Sequence, residues 1–263
     1  MPKSWWLLGA SELVGTALLL AVGGSFVVVD FAPTSPITHL IADTALRRAM
    51  TGFLFGCTGG LIAISGIGKL SGAHINPVVT VAFWLQKKLP GPLAIVYIGG
   101  QSLGAILGAA ALSFWGPWAR ATHNAATLPG AFGVWLATGG EALATCCLIV
   151  GLFLFIGHRS LRRFTPALFP GLYAALVWWE APLSGTSTNP ARTLGPDLVT
   201  HIWTGWWVYL IGPIGGTLIA LTLLNRLMPW LRSEIGVAKL YHFRHDPYGV
   251  FHHRSVPDTD PSA

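Results

Sequence analysis

The chain has 263 residues, 52% of them hydrophobic and only 10% charged, against roughly 25% charged in soluble domains. That balance excludes an ordinary water-soluble domain. The formal net charge of +6 does not indicate a nucleic-acid partner, because the cations are scattered between and after apolar stretches rather than gathered into a basic patch.

A membrane-spanning helix needs about 20 mostly apolar residues, and six such stretches are predicted, at about 6–29, 50–68, 93–115, 132–157, 165–181 and 203–228. The first starts at Trp5 behind Lys3, exceeds a signal-peptide core and lacks a convincing cleavage site, so it is read as a retained helix. Residues 1–228 form one membrane domain, and 229–263 a polar tail. With both termini cytoplasmic, Lys69, Lys87, Lys88, Arg159, Arg162, Arg163, Arg226 and Arg232 fall inside and Arg47, Arg48 and Arg120 outside, the positive-inside pattern. Cys57, Cys146 and Cys147 lie within predicted spans without metal-ligand spacing, and reduced, packed thiols are expected. Trp5, Trp6, Trp203, Trp206 and Trp207 cluster at span ends, as in an interfacial belt.

The sequence repeats itself. Glu12-Leu13-Val14-Gly15-Thr16 in the first stretch answers to Glu141-Ala142-Leu143-Ala144-Thr145 in the fourth, and SGAHINPVVT at 71–80 to SGTSTNPART at 184–193. Each copy, at about 6–115 and 132–228, holds three spans. Three is odd, so the second copy enters the bilayer from the opposite face, and inverted repeats place their site where broken helices meet near the midplane.

Asn76-Pro77-Val78 and Asn189-Pro190-Ala191 read as helix starts: asparagine is a good N-cap and proline at the first helical position loses no internal hydrogen bond. The runs that follow, 78–85 and 191–199, are too short to span. They are predicted half-helices, and the irregular Ser-Gly backbone before each is tolerated at membrane depth only if buried in protein or lining water. Two helix N-termini meeting there, each carrying roughly +0.5 charge, would oppose cations. The asparagine amides can donate to a passing water or hydroxyl oxygen. Neutral hydrogen-bonding molecules are the permitted class.

These motifs resemble the paired pore signatures of the aquaporin and glycerol-facilitator family, the major intrinsic proteins. Glu12, Glu141, Gln101 and Gly212-Pro213 also fit, and the resemblance covers about residues 6–228. It implies an all-α membrane protein of six spans and two re-entrant half-helices, a homotetramer with one pore per subunit, and no cofactor, metal or catalytic site. Glu12 and Glu141, read as the only acids well inside predicted helices, are expected to accept hydrogen bonds from the re-entrant backbone, a proton relay being the alternative. Arg192 is expected at the selectivity filter, where it would repel cations. Ungapped counting puts the other filter positions at Gly56, Val177 and Thr186, where water-selective members typically have an aromatic ring at the first and a histidine at the second. Gly56 and Val177 then predict a wide pore, conducting water and neutral solutes such as glycerol, urea, ammonia or undissociated metalloid acids. A one-residue shift, bringing in Phe53, Phe55 or Trp178, would restore a narrow, water-selective one. Thr193 stands where facilitators usually carry an aspartate, Tyr209 matches the water-channel pattern and Leu210 the facilitator pattern. Val78 for alanine should alter packing only.

His74 is read as a structural member of its turn, a pH gate being the alternative. The tail histidines His242, His245, His252 and His253 are read as part of a solvated, partly disordered segment. A secondary active transporter is the rival class, though it would usually need an acidic midplane site; no paired carboxylates or nucleophile with a base suggest an enzyme. The short loops and the absence of a glycosylation sequon lean towards a prokaryotic plasma or inner membrane.

Overall fold

The structure is a computed structural model in which residues 2–251 are described, all helix and loop with no strand among them. Helix α1 runs over Lys3–Phe31, with a π turn at Leu19–Gly23. Helix α2 (Thr44–Ile64) starts where the Asp43 carboxylate accepts from the backbone N–H groups of Ala45 and Leu46. It ends earlier than its apolar run, because the Ser65 hydroxyl caps a separate short helix, α3 (Gly66–Ser71). The half-helix α4 (Pro77–Leu85) follows, then α5 (Gly91–Leu112). The second copy comprises α6 (Val134–Gly157), α7 (Thr165–Ser184), the half-helix α8 (Pro190–Thr200) and α9 (Val208–Leu227). Six long helices and two half-helices thus appear in the predicted order.

Taken alone, only α1, α5, α6 and α9 are long and apolar enough to cross a membrane. Helices α2 and α7 fall short in apolarity because α2 carries Arg47, Arg48 and several glycines and α7 carries three prolines and Glu180; the two pack on each other and border the internal cavities.

Two glycine stripes and Gly216 permit the tight helix pairs, as expected where small residues rather than a hydrophobic drive bring helices together in lipid. On α5 a Cβ at Gly100, Gly104 or Gly108 would meet the carbonyl oxygens of Gly9, Leu13 and Ala17 at 2.4, 2.1 and 2.4 Å. On α2, Gly52, Gly56 and Gly60 meet those of Tyr173, Phe169 and Pro166 at 2.2, 2.4 and 2.7 Å. Gly216 on α9 meets that of Ala142 at 2.1 Å. We expect Gly104→Val to destabilise by about 1–3 kcal/mol through overpacking, read as a lower melting temperature in detergent. Gly99→Ala, with nothing within 4 Å of the new methyl, should not destabilise.

The tail corrects an expectation. Beyond a short helix at Leu231–Glu234, the side chains of Ile235, Val237, Ala238, Leu240, Phe243 and Phe251 are all buried. The segment is therefore packed against the helical body rather than solvated. Its apolar residues are interleaved with Lys, Arg and His, which hides the pattern in a reading by composition. His242 is buried with its Nε2 2.9 Å from the Ile64 carbonyl, His245 is half-buried, and His252 and His253 lie outside the described residues. The cysteines are free, but Cys147 is exposed rather than packed.

Candidate functional site

The two Asn-Pro motifs meet. In each, the asparagine side-chain oxygen caps its own half-helix: Asn76 Oδ1 accepts from Val78 N (3.0 Å), and Asn189 Oδ1 from Ala191 N (3.1 Å) and Arg192 N (3.3 Å). The amide nitrogens cross over, Asn76 Nδ2 donating to the Thr188 carbonyl and Asn189 Nδ2 to the Ile75 carbonyl, both at 2.9 Å. These reciprocal bonds tie the two copies together and hold both helix N-termini at one point. An amide group has two N–H donors. One on each asparagine is committed to the crossing, and the second can serve a molecule in the chamber both residues line.

The backbone leading into each motif is held by a buried glutamate. Glu12 Oε1 accepts from the Ser71 hydroxyl (2.6 Å) and His74 N (3.0 Å), and Oε2 from Ile75 N (2.6 Å) and Gln101 Nε2 (2.7 Å). Glu141 repeats the pattern, with Ser184 Oγ (2.6 Å) and Ser187 N (2.6 Å) on Oε1 and Thr188 N (2.7 Å) on Oε2. Tyr97 and Tyr209 donate to the carbonyls of Ser71 and Ser184 in the same symmetric manner, at 2.7 and 2.6 Å. The glutamates are needed because Ala73, Ile75, Thr186 and Thr188 adopt φ of +55°, +42°, +54° and +50°, which is costly for β-branched residues in particular. His74 stacks on Phe83 and is bonded through Nδ1 to Thr80 Oγ1 at 3.1 Å.

Two cavities follow one another along the path. The inner chamber, about 40 Å³ open to water-sized molecules, joins apolar Leu19, Val79, Leu148 and Phe169 to a polar strip of Ala73, His74, Ile75 and the two asparagines. The outer vestibule, about 320 Å³, is lined by Arg48, Val177, Thr186 and Arg192 among others. Phe55 and Tyr173 border both cavities and so stand at the constriction between them. The Arg192 guanidinium lies 6.0 Å from the Phe55 ring centre, and its Nη1 donates to the Ala125 carbonyl at 2.8 Å. The π turn of α1 seats this ring: a methyl at Gly23 would come within 2.7 Å of Phe55 Cδ2.

Gly56 borders the inner chamber together with the two asparagines, but not the vestibule. The side its Cβ would occupy faces the α7 backbone, 2.4 Å from the Phe169 carbonyl, while the neighbouring Phe55 turns its ring to the path. Phe53 and Trp178, the other residues near the counted positions, are exposed on the outer surface. Val177 and Thr186 do line the vestibule with Arg192. Glu12 and Glu141 are also not the only acids inside helices: Glu180 on α7 is fully buried behind the vestibule and accepts from the Thr186 hydroxyl. It stood next to the end of the predicted 165–181 stretch, whereas α7 continues to Ser184 and sets it within the helix. Nothing local in the sequence pointed to Tyr173 or to the Ala125 carbonyl, which belong to the path only through tertiary contact.

A family model described as Major intrinsic protein matches residues 3–223. Among curated relatives, Aquaporin AqpM of Methanothermobacter marburgensis is 30% identical over 75% of this chain and 91% of its own length. The Lens fiber major intrinsic protein of Gallus gallus is 33% identical over 88% of this chain and 85% of its own. Among solved structures, the aquaglyceroporin from Plasmodium falciparum superposes with a TM-score of 0.71 at 18% identity, over 86% of this chain and 98% of that one, a likeness of fold. With crossed asparagines at the meeting point of two half-helices and a family match over nearly all of its helices, the chain belongs to the major intrinsic protein family.

Proposed function

We propose that this chain is a passive channel for water and small neutral solutes, with Phe55, Val177, Thr186 and Arg192 as its filter. The observation that carries this reading is the pair of crossed asparagines facing a chamber that shares Phe55 and Tyr173 with an adjoining vestibule lined by Arg48 and Arg192. Two helix N-termini and a buried guanidinium on one path disfavour cations. A water entering the chamber meets amide donors and backbone acceptors on one wall and hydrocarbon on the other, so it is oriented without being held. The Phe55 ring narrows the aperture, while Val177 and Thr186 leave it less polar than an imidazole would. Water therefore passes readily, and glycerol lies near the upper size limit.

The membrane domain spans 1–228, the termini and the tail lie on the cytoplasmic side of a plasma or inner membrane, and four copies assemble in the bilayer. The exposed apolar faces bearing Leu103, Leu107, Trp135, Leu143 and Leu218 suit lipid or neighbouring subunits.

Stopped-flow light scattering on reconstituted vesicles tests the reading. Vesicles holding the chain should shrink faster under an impermeant osmolyte than protein-free vesicles, with low temperature dependence; saturable, strongly temperature-dependent flux would instead indicate a transporter. Arg192→Val should keep water flux and admit a proton or cation leak, seen with an entrapped pH dye. An unchanged barrier to ions would remove Arg192 from the filter.

A further inference from the structure

The chain's own C-terminal segment reaches the inner chamber. Leu240 lines the same cavity as Asn76, Val79, Leu148 and Asn189, although it stands 164 positions after Asn76 and outside the family match. Its backbone N–H donates to the Gly72 carbonyl at 3.0 Å, and the Ala238 carbonyl lies 2.9 Å from His74 Nε2, which must carry the proton to donate to it. Gly72, at φ +94°, makes the approach possible: a Cβ there would sit 2.7 Å from the Ala238 carbonyl.

Lys239 fastens the segment. Its side chain is fully buried, yet the ammonium donates to the carbonyls of Lys69 (2.7 Å), Leu70 (3.3 Å) and His245. Lys69 and Leu70 are in the last turn of α3, where the helix dipole favours a cation. The Phe251 ring packs at 4.8 Å from the same nitrogen.

We propose that residues 238–242 are an internal plug that narrows the tail-side mouth and slows conduction through the full chain without abolishing it, an inference that rests on the channel reading above. The leucine side chain has no hydrogen-bonding capacity, so a water beside it loses partners, and a narrow apolar constriction gates by excluding water. The attachment is reversible. The fastenings described run from backbone or from Lys239 and His242 to carbonyls of the mouth, and water can replace each when the segment withdraws. The adjoining short helix is held by Glu234 to Arg159 and Arg162 at 3.2 and 3.6 Å; with Arg159 largely exposed, the first pair contributes little. Most of the restraint therefore lies in the plug itself.

The experiment compares water permeability per incorporated channel for the full chain, Lys239→Met, Leu240→Ala and a chain truncated after Glu234. Removing one charge-assisted anchor moves the equilibrium by about a factor of ten, so Lys239→Met should conduct roughly tenfold faster than the full chain, and Leu240→Ala and the truncated chain should also conduct faster than it. Should the truncated chain fail to insert, the two point variants, which retain the rest of the segment, decide the matter. Equal permeability of the full chain and the point variants overturns the plug. Vesicles that stay impermeable with every variant overturn the channel reading itself.

Discussion

Glu141→Ala is expected to yield a protein that neither conducts water nor survives extraction into detergent in folded form. The substitution leaves two buried backbone N–H groups, of Ser187 and Thr188, and the Ser184 hydroxyl without their acceptor. Each unsatisfied group costs about 1–3 kcal/mol, and Thr186 and Thr188 are held at positive φ at about 1–3 kcal/mol apiece. The sum is comparable with the roughly 5–15 kcal/mol that separates a folded domain from its unfolded chain. The loop would then relax, Asn189 would lose its place opposite Ile75, and the crossing would open. Glu141→Gln keeps one accepting oxygen but turns an NH2 group towards donors, so an intermediate loss is expected. Melting temperature in detergent and osmotic permeability in vesicles, measured together on both variants, check this. Full permeability in Glu141→Ala would show that the carboxylate is not what orders the loop. Glu12→Ala should behave alike, with Gln101 Nε2 as an additional stranded donor.

Phe55→Ala should raise glycerol permeability by about tenfold relative to water, equivalent to about 1.4 kcal/mol off the barrier. The ring stands between chamber and vestibule opposite the Arg192 guanidinium and is backed by Gly23. Its removal enlarges the aperture at the cost of the ring contact with Tyr173 (centroids 6.1 Å apart), while the close approach of α2 to α7 through Gly52, Gly56 and Gly60 is kept. Gly56→Phe, the substitution that a gap at that position would invite, is expected to prevent folding instead, since its Cβ would sit 2.4 Å from the Phe169 carbonyl and 2.8 Å from the Pro170 Cα. Vesicle swelling in a glycerol gradient distinguishes the two sites. Unchanged glycerol flux in Phe55→Ala would mean that the constriction lies elsewhere, with Tyr173 the next residue to truncate.

Much of this architecture is written locally. The length of apolar runs, the odd number of spans per copy and the Asn-Pro helix starts are properties of consecutive residues, and they suffice for six helices, two half-helices and their inverted arrangement. The pairing of Glu12 with the first re-entrant loop and Glu141 with the second was expected from the family resemblance, the repeat itself showing only that the two acids stand at equivalent places. Side-chain direction was not. Whether Phe55 or Gly56 faces the path depends on the rotation of α2 about its axis, which is set by the closest approach to α7 through Gly52, Gly56 and Gly60; one residue turns a helix by about 100°, enough to exchange lumen for neighbour. The tail was misjudged for a related reason. Its apolar residues are interleaved with charged and histidine side chains and form no continuous run, and only the fold brings the Lys69, Leu70 and His245 carbonyls around Lys239 and offers Leu240 the mouth of the chamber. The sequence alone determined the path's existence and the groups at its centre; tertiary packing decided how wide it is and what stands in its way, because both depend on contacts between residues far apart in the chain.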